Sequence, residues 1–244
     1  MQEDLKLFQK ISEKLLNSEQ NKGVVEPISP EKLFNTFNLD LDDEALPKSE
    51  FEQLLTDVVL NTPRTSTKLF FNQLFGGRNP KGTLGELLAV MLNNSMYTYK
   101  VGGPQVGIEK NIIKKVCQMI GYGDQADGTF PPGGSMSNFM GMLMARDRKN
   151  RAIKQEGVSQ KLIIYTSEAS HYSITKNASF GGIGVGQIRR VKTNQFGQMD
   201  VSHLQELIHQ DKANNLEPFF VNATAGTTVL GAFDDIKAIH EVIK

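Results

Sequence analysis

The sequence lacks several features that would assign it to particular classes of protein. Cys117 is the single cysteine among 244 residues, so the chain can form no internal disulfide, and a reducing compartment suits it. No stretch approaches the roughly 20 apolar residues that cross a bilayer. The amphipathic, charged N-terminus also lacks the apolar core of a signal peptide. We therefore expect a soluble, cytoplasmic protein that does not insert into a membrane.

Charge and short motifs exclude further classes. Lys+Arg 27 balances Asp+Glu 27, and this zero net charge predicts no general attraction to nucleic acid or anionic lipid. The four histidines are scattered and form no HExxH or Cys/His cluster, so no metal centre is expected. Walker, GxGxxG and GxSxG motifs do not occur either, which removes the common nucleotide and hydrolase signatures.

The first third of the chain has a helical pattern. Residues 1–84 read as helices joined by short loops that contain prolines, which indicates a helical arm rather than an independent core. Ser29 followed by Pro30 is a typical helix start. Ser49 and Glu52 fit a capping box ahead of another helix.

From residue 85 the pattern changes, because helical stretches alternate with short β-rich runs. This alternation predicts an α/β domain around a largely parallel sheet. The predicted strands are 161–166, 185–191 and 218–222. The predicted helices are 84–94, 106–120, 137–149, 172–180, 201–210 and one that begins at residue 234. Gly121 is expected to end the second of them as its C-terminal cap. Since such helices carry the chain to a next strand, we expect the domain to continue beyond Lys244.

A glycine-rich turn with the sequence PPGGSMSN occupies residues 131–138. Gly133 and Gly134 allow the backbone to approach a ligand closely, and the serines add hydroxyl groups. Free amides and the macrodipole at the start of the following helix would then form a phosphate cradle. A plain glycine turn with a capping serine is the alternative, which the residues alone leave open.

Two more polar segments directly follow predicted strands. Residues 166–173 (TSEASHYS) place His171 where its flat imidazole could stack on an aromatic ligand, and residues 222–228 (NATAGTT) offer small hydroxylated side chains. The alternatives are that Ser170 caps a helix with His171 as an ordinary first-turn residue, and that 222–228 is a plain turn. Ligands gather at the carboxyl ends of parallel strands, so the coincidence of these segments favours a binding crevice.

Five segments together resemble a known family in their order and spacing. They are FFNQLF at 70–75, NNSMYTY at 93–99, PGGSMSN at 132–138, SEASHYSITK at 167–176 and NATAGTTVLGAFD at 222–234. From about residue 50 onward the chain resembles the group II pyridoxal-phosphate-dependent amino-acid decarboxylases, especially the glutamate and cysteine-sulfinate branch. The resemblance implies an aspartate-aminotransferase-like (fold type I) large α/β domain. Residues 85–244 would be its first part, preceded by the helical segment 1–84.

The resemblance also implies roles around a pyridoxal 5'-phosphate cofactor. Gly134 and Ser135 match the family's phosphate-binding position. His171 matches the catalytic histidine that stacks on the pyridine ring. Thr228 matches a threonine that hydrogen-bonds near the cofactor, and Asp234 matches an aspartate close to the site.

Substrate contacts are implied in the same way. Gln73, Leu74 and Phe75 match a stretch that touches substrate. Ser95 stands where sulfinate-preferring relatives have serine and glutamate-preferring relatives have asparagine, which favours a shorter acidic substrate. Residues 100–105 (KVGGPQ) depart from the acidic residue and Ala-Pro pair that are usual in the family.

The implied protein is a homodimer that decarboxylates glutamate, aspartate or cysteine sulfinate. The family carries its Schiff-base lysine in a His-Lys dipeptide, and none occurs here, so this chain alone is expected to be inactive. One alternative is a truncated, non-catalytic paralogue that binds or regulates a full-length partner. Another is a different α/β enzyme with a phosphate-bearing ligand.

Overall fold

Helices form the first of two units into which the chain divides, as the sequence pattern predicts. The computed structural model describes residues 1–40 and 43–244, and the units are Met1–Asn94 and Ser95–Lys244. The first unit contains α1 (Gln2–Asn21), α2 (Pro30–Thr36), α3 (Lys48–Asn61) and α4 (Pro80–Leu92). A domain boundary after residue 84 stays a prediction.

Two helices of this unit begin at a proline. Ser29 precedes Pro30 at the start of α2, as predicted from the sequence. α4 begins at Pro80, earlier than predicted, because the Asn79 carboxamide oxygen accepts a hydrogen bond from the Gly82 amide at 2.9 Å. Proline suits this first position, where the amide it lacks would have no helical partner.

The capping box predicted at Ser49 and Glu52 is wrong. α3 already begins at Lys48, and no side chain caps it. The carbonyl of Pro47 accepts a hydrogen bond from the Phe51 amide at 3.0 Å, which starts the helix ahead of the serine. Ser49 therefore lies inside the first turn and cannot act as the cap.

The second unit is the α/β part of the chain. Its elements in order are α5 (Tyr99–Gly102), α6 (Pro104–Ile120), α7 (Gly134–Lys149), α8 (Ile153–Glu156), β1 (Leu162–Ser167), α9 (Ser173–Phe180), β2 (Ile188–Val191), α10 (Val201–Ala213), β3 (Glu217–Asn222) and α11 (Ile236–Ile243). The strands form one sheet in the order β2-β1-β3, and both pairings are parallel. The predicted parallel α/β architecture is confirmed for this unit.

The second strand is shorter than predicted. Val185–Gln187 form a turn of 3-10 helix, and only Ile188–Val191 pair with β1. Gly184 has φ 93°, and its carbonyl accepts the Gln187 amide at 3.1 Å. This local turn uses backbone groups that a strand would have offered to its neighbour.

Both faces of β1 are covered by helices, so the strand is a continuous apolar run. Leu162 and Ile164 belong to one core cluster, whose other members include Met142 and Ile174 from α7 and α9. Ile163 and Tyr165 belong to a second cluster. It also contains Leu204 and Ile208 from α10 and Ile239 from α11.

A buried polar network lies within the second cluster. The Tyr165 hydroxyl donates to an Asp211 carboxylate oxygen at 2.8 Å, and the Arg189 guanidinium donates to the same carboxylate at 2.8 to 3.0 Å. Burial raises the pKa of Tyr165, and the bond to Asp211 raises it further. The tyrosine therefore stays protonated and acts as a fixed donor.

Helix α6 has an apolar face that this chain leaves largely exposed. The predicted helix is present, and Gly121 ends it in the left-handed conformation as expected. Met119 and Ile120 are 76% and 60% exposed, however, and Cys117 on the same helix is half-buried. Within residues 1–40 and 43–244, none of the helices combines the length and hydrophobicity that a membrane span requires.

Candidate cofactor-binding site

The glycine-rich turn leads directly into α7, which begins at Gly134, three residues earlier than predicted. Gly133 has φ 124°, and its carbonyl accepts the amides of Met136 (3.0 Å) and Ser137 (3.2 Å). The amides of Gly134 and Ser135 donate to no acceptor in the described part of the chain. These two free N–H groups at an exposed helix start are what an anion such as a phosphate ester requires.

His171 lies between the carboxyl end of β1 and the start of α9. Its ring nitrogen Nδ1 accepts the backbone amide of Ser173 at 3.2 Å, and this acceptor role assigns the proton of a neutral ring to Nε2. The Tyr172 ring packs against the imidazole, with centroids 4.2 Å apart and planes at 35°. The imidazole is thus held from one side while remaining exposed.

The alternative in which Ser170 caps the helix is wrong. α9 begins at Ser173 with Tyr172 at the cap position, so His171 precedes the helix. The Ser170 hydroxyl instead donates to the Ser167 carbonyl at 2.8 Å, which closes a turn directly after β1. This turn presents His171 at the carboxyl end of the sheet, where parallel sheets place their ligands.

The third segment, after β3, is anchored by Asp234. The aspartate is 6% exposed, and its two carboxylate oxygens accept the amides of Met199 and Thr224, each at 2.7 Å. Within the loop, the Thr227 hydroxyl accepts the Ala232 amide at 3.0 Å. Thr228 is exposed on this braced loop. Cofactor contacts of Thr228 and Asp234 stay predictions. The carboxylate of Asp234 already accepts hydrogen bonds from two backbone amides.

Two asparagines to which the sequence analysis gave no role connect the first two segments. The Asn177 side-chain amide donates to the Ser135 carbonyl at 3.0 Å, and the Asn138 side-chain amide donates to the Ser173 hydroxyl at 3.0 Å. Both bonds join α7 to α9. The available sequence signal was the asparagine at 177 between Ile174 and Ala178, where the helical period calls for an apolar side chain.

The predicted substrate residues lie in short turns. In the first unit, the Asn72 side-chain oxygen accepts the Leu74 amide at 2.8 Å. Leu74 and Gln73 are exposed, and the Phe75 ring meets that of Phe70 edge to face at 5.3 Å. In the second unit, the hydroxyl of Ser95 accepts the Tyr97 amide at 3.1 Å. Substrate contacts of these residues stay predictions.

A comparison of the sequence with protein-family models identifies the chain's relatives. A model described as the pyridoxal-dependent decarboxylase conserved domain matches residues 30–244. The chain belongs to the pyridoxal-dependent decarboxylase family. The family predicted from the five segments is therefore confirmed.

Individual relatives agree with this family. Acidic amino acid decarboxylase GADL1 from Xenopus tropicalis is 37% identical over 227 residues, covering 92% of this chain and 44% of that protein. Cysteine sulfinic acid decarboxylase from Mus musculus is 36% identical over 230 residues, covering 93% and 46%. The crystal structure of mouse CSAD superposes with a TM-score of 0.92 at 34% identity, covering 97% of this chain and 51% of that one. The fold prediction is confirmed, and the chain spans about half the length of the curated relatives it matches.

The residues present fit a phosphorylated aromatic cofactor of the kind that the family name implies. The free amides of Gly134 and Ser135 suit a phosphate, and the exposed imidazole of His171 suits a flat ring. A Cβ built on Gly134 would meet nothing within 4 Å, so a ligand can approach the backbone there. Fixed donors and a stacking surface in one unit are the elements that a protein supplies to such a cofactor.

Proposed function

We propose that the protein to which this chain belongs decarboxylates an acidic L-amino acid with pyridoxal 5'-phosphate. The observation that carries the proposal is the pair of free amides at the start of α7, bonded through α9 to the segment that carries His171. The family match and the names of the relatives, which are acidic amino acid, cysteine sulfinic acid and glutamate decarboxylases, support it.

In this proposal the chain's own residues hold the cofactor. Gly134 and Ser135 bind the phosphate through their amides, and His171 stacks on the ring. Thr228 donates a hydrogen bond near the cofactor, and Asp234 braces the loop that carries it. When bound, pyridoxal phosphate supplies an electron-accepting ring that stabilises the charge left as carbon dioxide departs. The protein then has to fix the ring and orient the bond that breaks.

The substrate is proposed to be a short acidic amino acid, aspartate or cysteine sulfinate, with glutamate as the longer competitor. Gln73, Leu74, Phe75 and Ser95 are the residues proposed to contact it. We also propose that the protein is cytoplasmic and a homodimer. The exposed apolar face of α6 is a surface that a second protomer or the remainder of the protein would cover, because soluble proteins rarely leave such surfaces exposed.

Decarboxylation is tested on the product of the complete gene. With pyridoxal phosphate added, release of carbon dioxide from aspartate, cysteine sulfinate or glutamate is expected. If none of the three substrates releases carbon dioxide, the proposed activity is contradicted. If the product also forms a complex with a catalytically active relative, the non-catalytic paralogue becomes the better account.

The cofactor site is tested on this chain directly. We expect equilibrium dialysis to show pyridoxal phosphate binding that weakens by about 3- to 10-fold in His171→Ala, because the stacked ring is lost. His209→Ala is the control, since His209 is exposed on α10. Equal affinities in wild type and His171→Ala would refute the stacking role.

A further inference from the structure

Helix α9 is bonded to the first turns of α7 at two points, and one of them is unusual for its position. Asn177 is 4% exposed, on the side of α9 that also buries Ile174 and Ala178. A buried amide is costly unless it is hydrogen-bonded, and this one donates to the carbonyl of Ser135. Packing alone would favour an apolar residue at position 177. The role of the asparagine is therefore its hydrogen bond to the Ser135 carbonyl.

The acceptor belongs to the turn that carries the free amides of Gly134 and Ser135, which together we call the cradle. Ser135 is the second residue of α7, and its own amide and that of Gly134 donate to no acceptor in the described chain. A bond to the carbonyl of Ser135 restrains the peptide plane directly after these amides. Asn177 therefore restrains the direction in which the cradle donates.

The second bond reaches the imidazole. Asn138, in the second turn of α7, donates to the hydroxyl of Ser173, which is fully buried. The amide of the same serine donates to Nδ1 of His171. A continuous set of hydrogen bonds thus runs from the cradle helix to the stacking ring.

We propose that Asn177 is a positioning residue, which together with the Asn138–Ser173 bond sets the cradle relative to His171. The inference rests on the proposed function, because it assumes one ligand with both a phosphate and an aromatic ring. Such a ligand gains binding free energy from both contacts only when the distance between the cradle and the His171 ring matches the distance between its own phosphate and ring. A ligand with the ring alone does not depend on the cradle.

The test compares pyridoxal phosphate with pyridoxal, which lacks the phosphate, on the full 244-residue chain. In Asn177→Ala, affinity for pyridoxal phosphate should fall by about 3- to 10-fold, while affinity for pyridoxal should change by less than about 2-fold. Asn61→Ala is the control, since the Asn61 side-chain amide also donates to a backbone carbonyl, that of Asp57 at 2.8 Å, but within its own helix α3. Equal losses for both ligands would reveal a merely structural role and overturn the proposal.

A measurement without ligand separates this inference from the proposed function. Hydrogen exchange of the Met136 and Ser137 amides should be about 3- to 10-fold faster in Asn177→Ala than in wild type or Asn61→Ala. Unchanged exchange overturns the positioning role even if the cofactor binds. Wild-type chain that binds no pyridoxal phosphate would refute the cofactor site, while faster exchange would still support the restraint.

A second variant covers the case in which Asn177→Ala does not fold. Asn138→Ala removes the other bond from a half-buried side chain, and circular dichroism verifies that it is folded. It should show the same selective loss of affinity for pyridoxal phosphate over pyridoxal. An equal loss for both ligands would count against the proposal.

Discussion

Replacing Asp234 by alanine should destabilise the second unit strongly, even with no cofactor present. Its carboxylate accepts the amides of Met199 and Thr224, each at 2.7 Å, while the side chain is 6% exposed. A hydrogen bond to a charged group contributes about 1.5–3 kcal/mol, and the two bonds share one carboxylate. We therefore expect the free energy of unfolding to fall by about 3–5 kcal/mol.

The neighbouring aspartate provides a matched control. Asp235 is exposed and caps α11, where its side chain accepts the Ala238 amide at 3.0 Å. Asp235→Ala should cost about 1 kcal/mol, the usual value for a helix cap. Asp234→Asn should fall between the two alanine variants, because its amide nitrogen would face one of the backbone donors.

Urea denaturation followed by circular dichroism gives the free energies, and equal slopes for all variants would show that the same transition is compared. A loss below about 1 kcal/mol for Asp234→Ala, or a loss no larger than that of Asp235→Ala, would refute the bracing role.

Two further predictions concern the cores of the second unit. The pKa of Tyr165 is raised in the folded state, so its contribution to stability is complete below the unfolded-state pKa of about 10 and is lost as the pH rises above it. Urea midpoints should accordingly fall less steeply above about pH 10 in Tyr165→Phe than in wild type, and parallel curves would contradict this. Met142→Ala should lower the free energy of unfolding by about 2–5 kcal/mol, against less than about 0.5 kcal/mol for Met144→Ala, since Met142 is 0% and Met144 66% exposed on the same helix. Similar losses in the two methionine variants would show that α7 is not packed as described.

Local sequence signals were sufficient where an element depends on nearby residues. The apolar run of β1 and the glycine that ends α6 were predicted within a residue or two, because hydrophobic period and left-handed glycine are local properties. Local competition also explains the errors. The hydrogen bond from the Phe51 amide to the Pro47 carbonyl makes α3 begin ahead of the predicted serine cap. The 3-10 turn after Gly184 takes the place of the first residues predicted for β2.

The five ordered segments in the sequence were enough to identify the family, and they placed candidate residues at the carboxyl ends of the strands. The sequence marked Asn177 as unusual for its helical position, but it did not identify the partners of the residues that hold the site. Asn177 meets Ser135 across 42 positions, and Asp234 meets Met199 across 35. Only the packing of helices and loops around a parallel sheet brings such pairs within hydrogen-bonding distance, because no local period relates them.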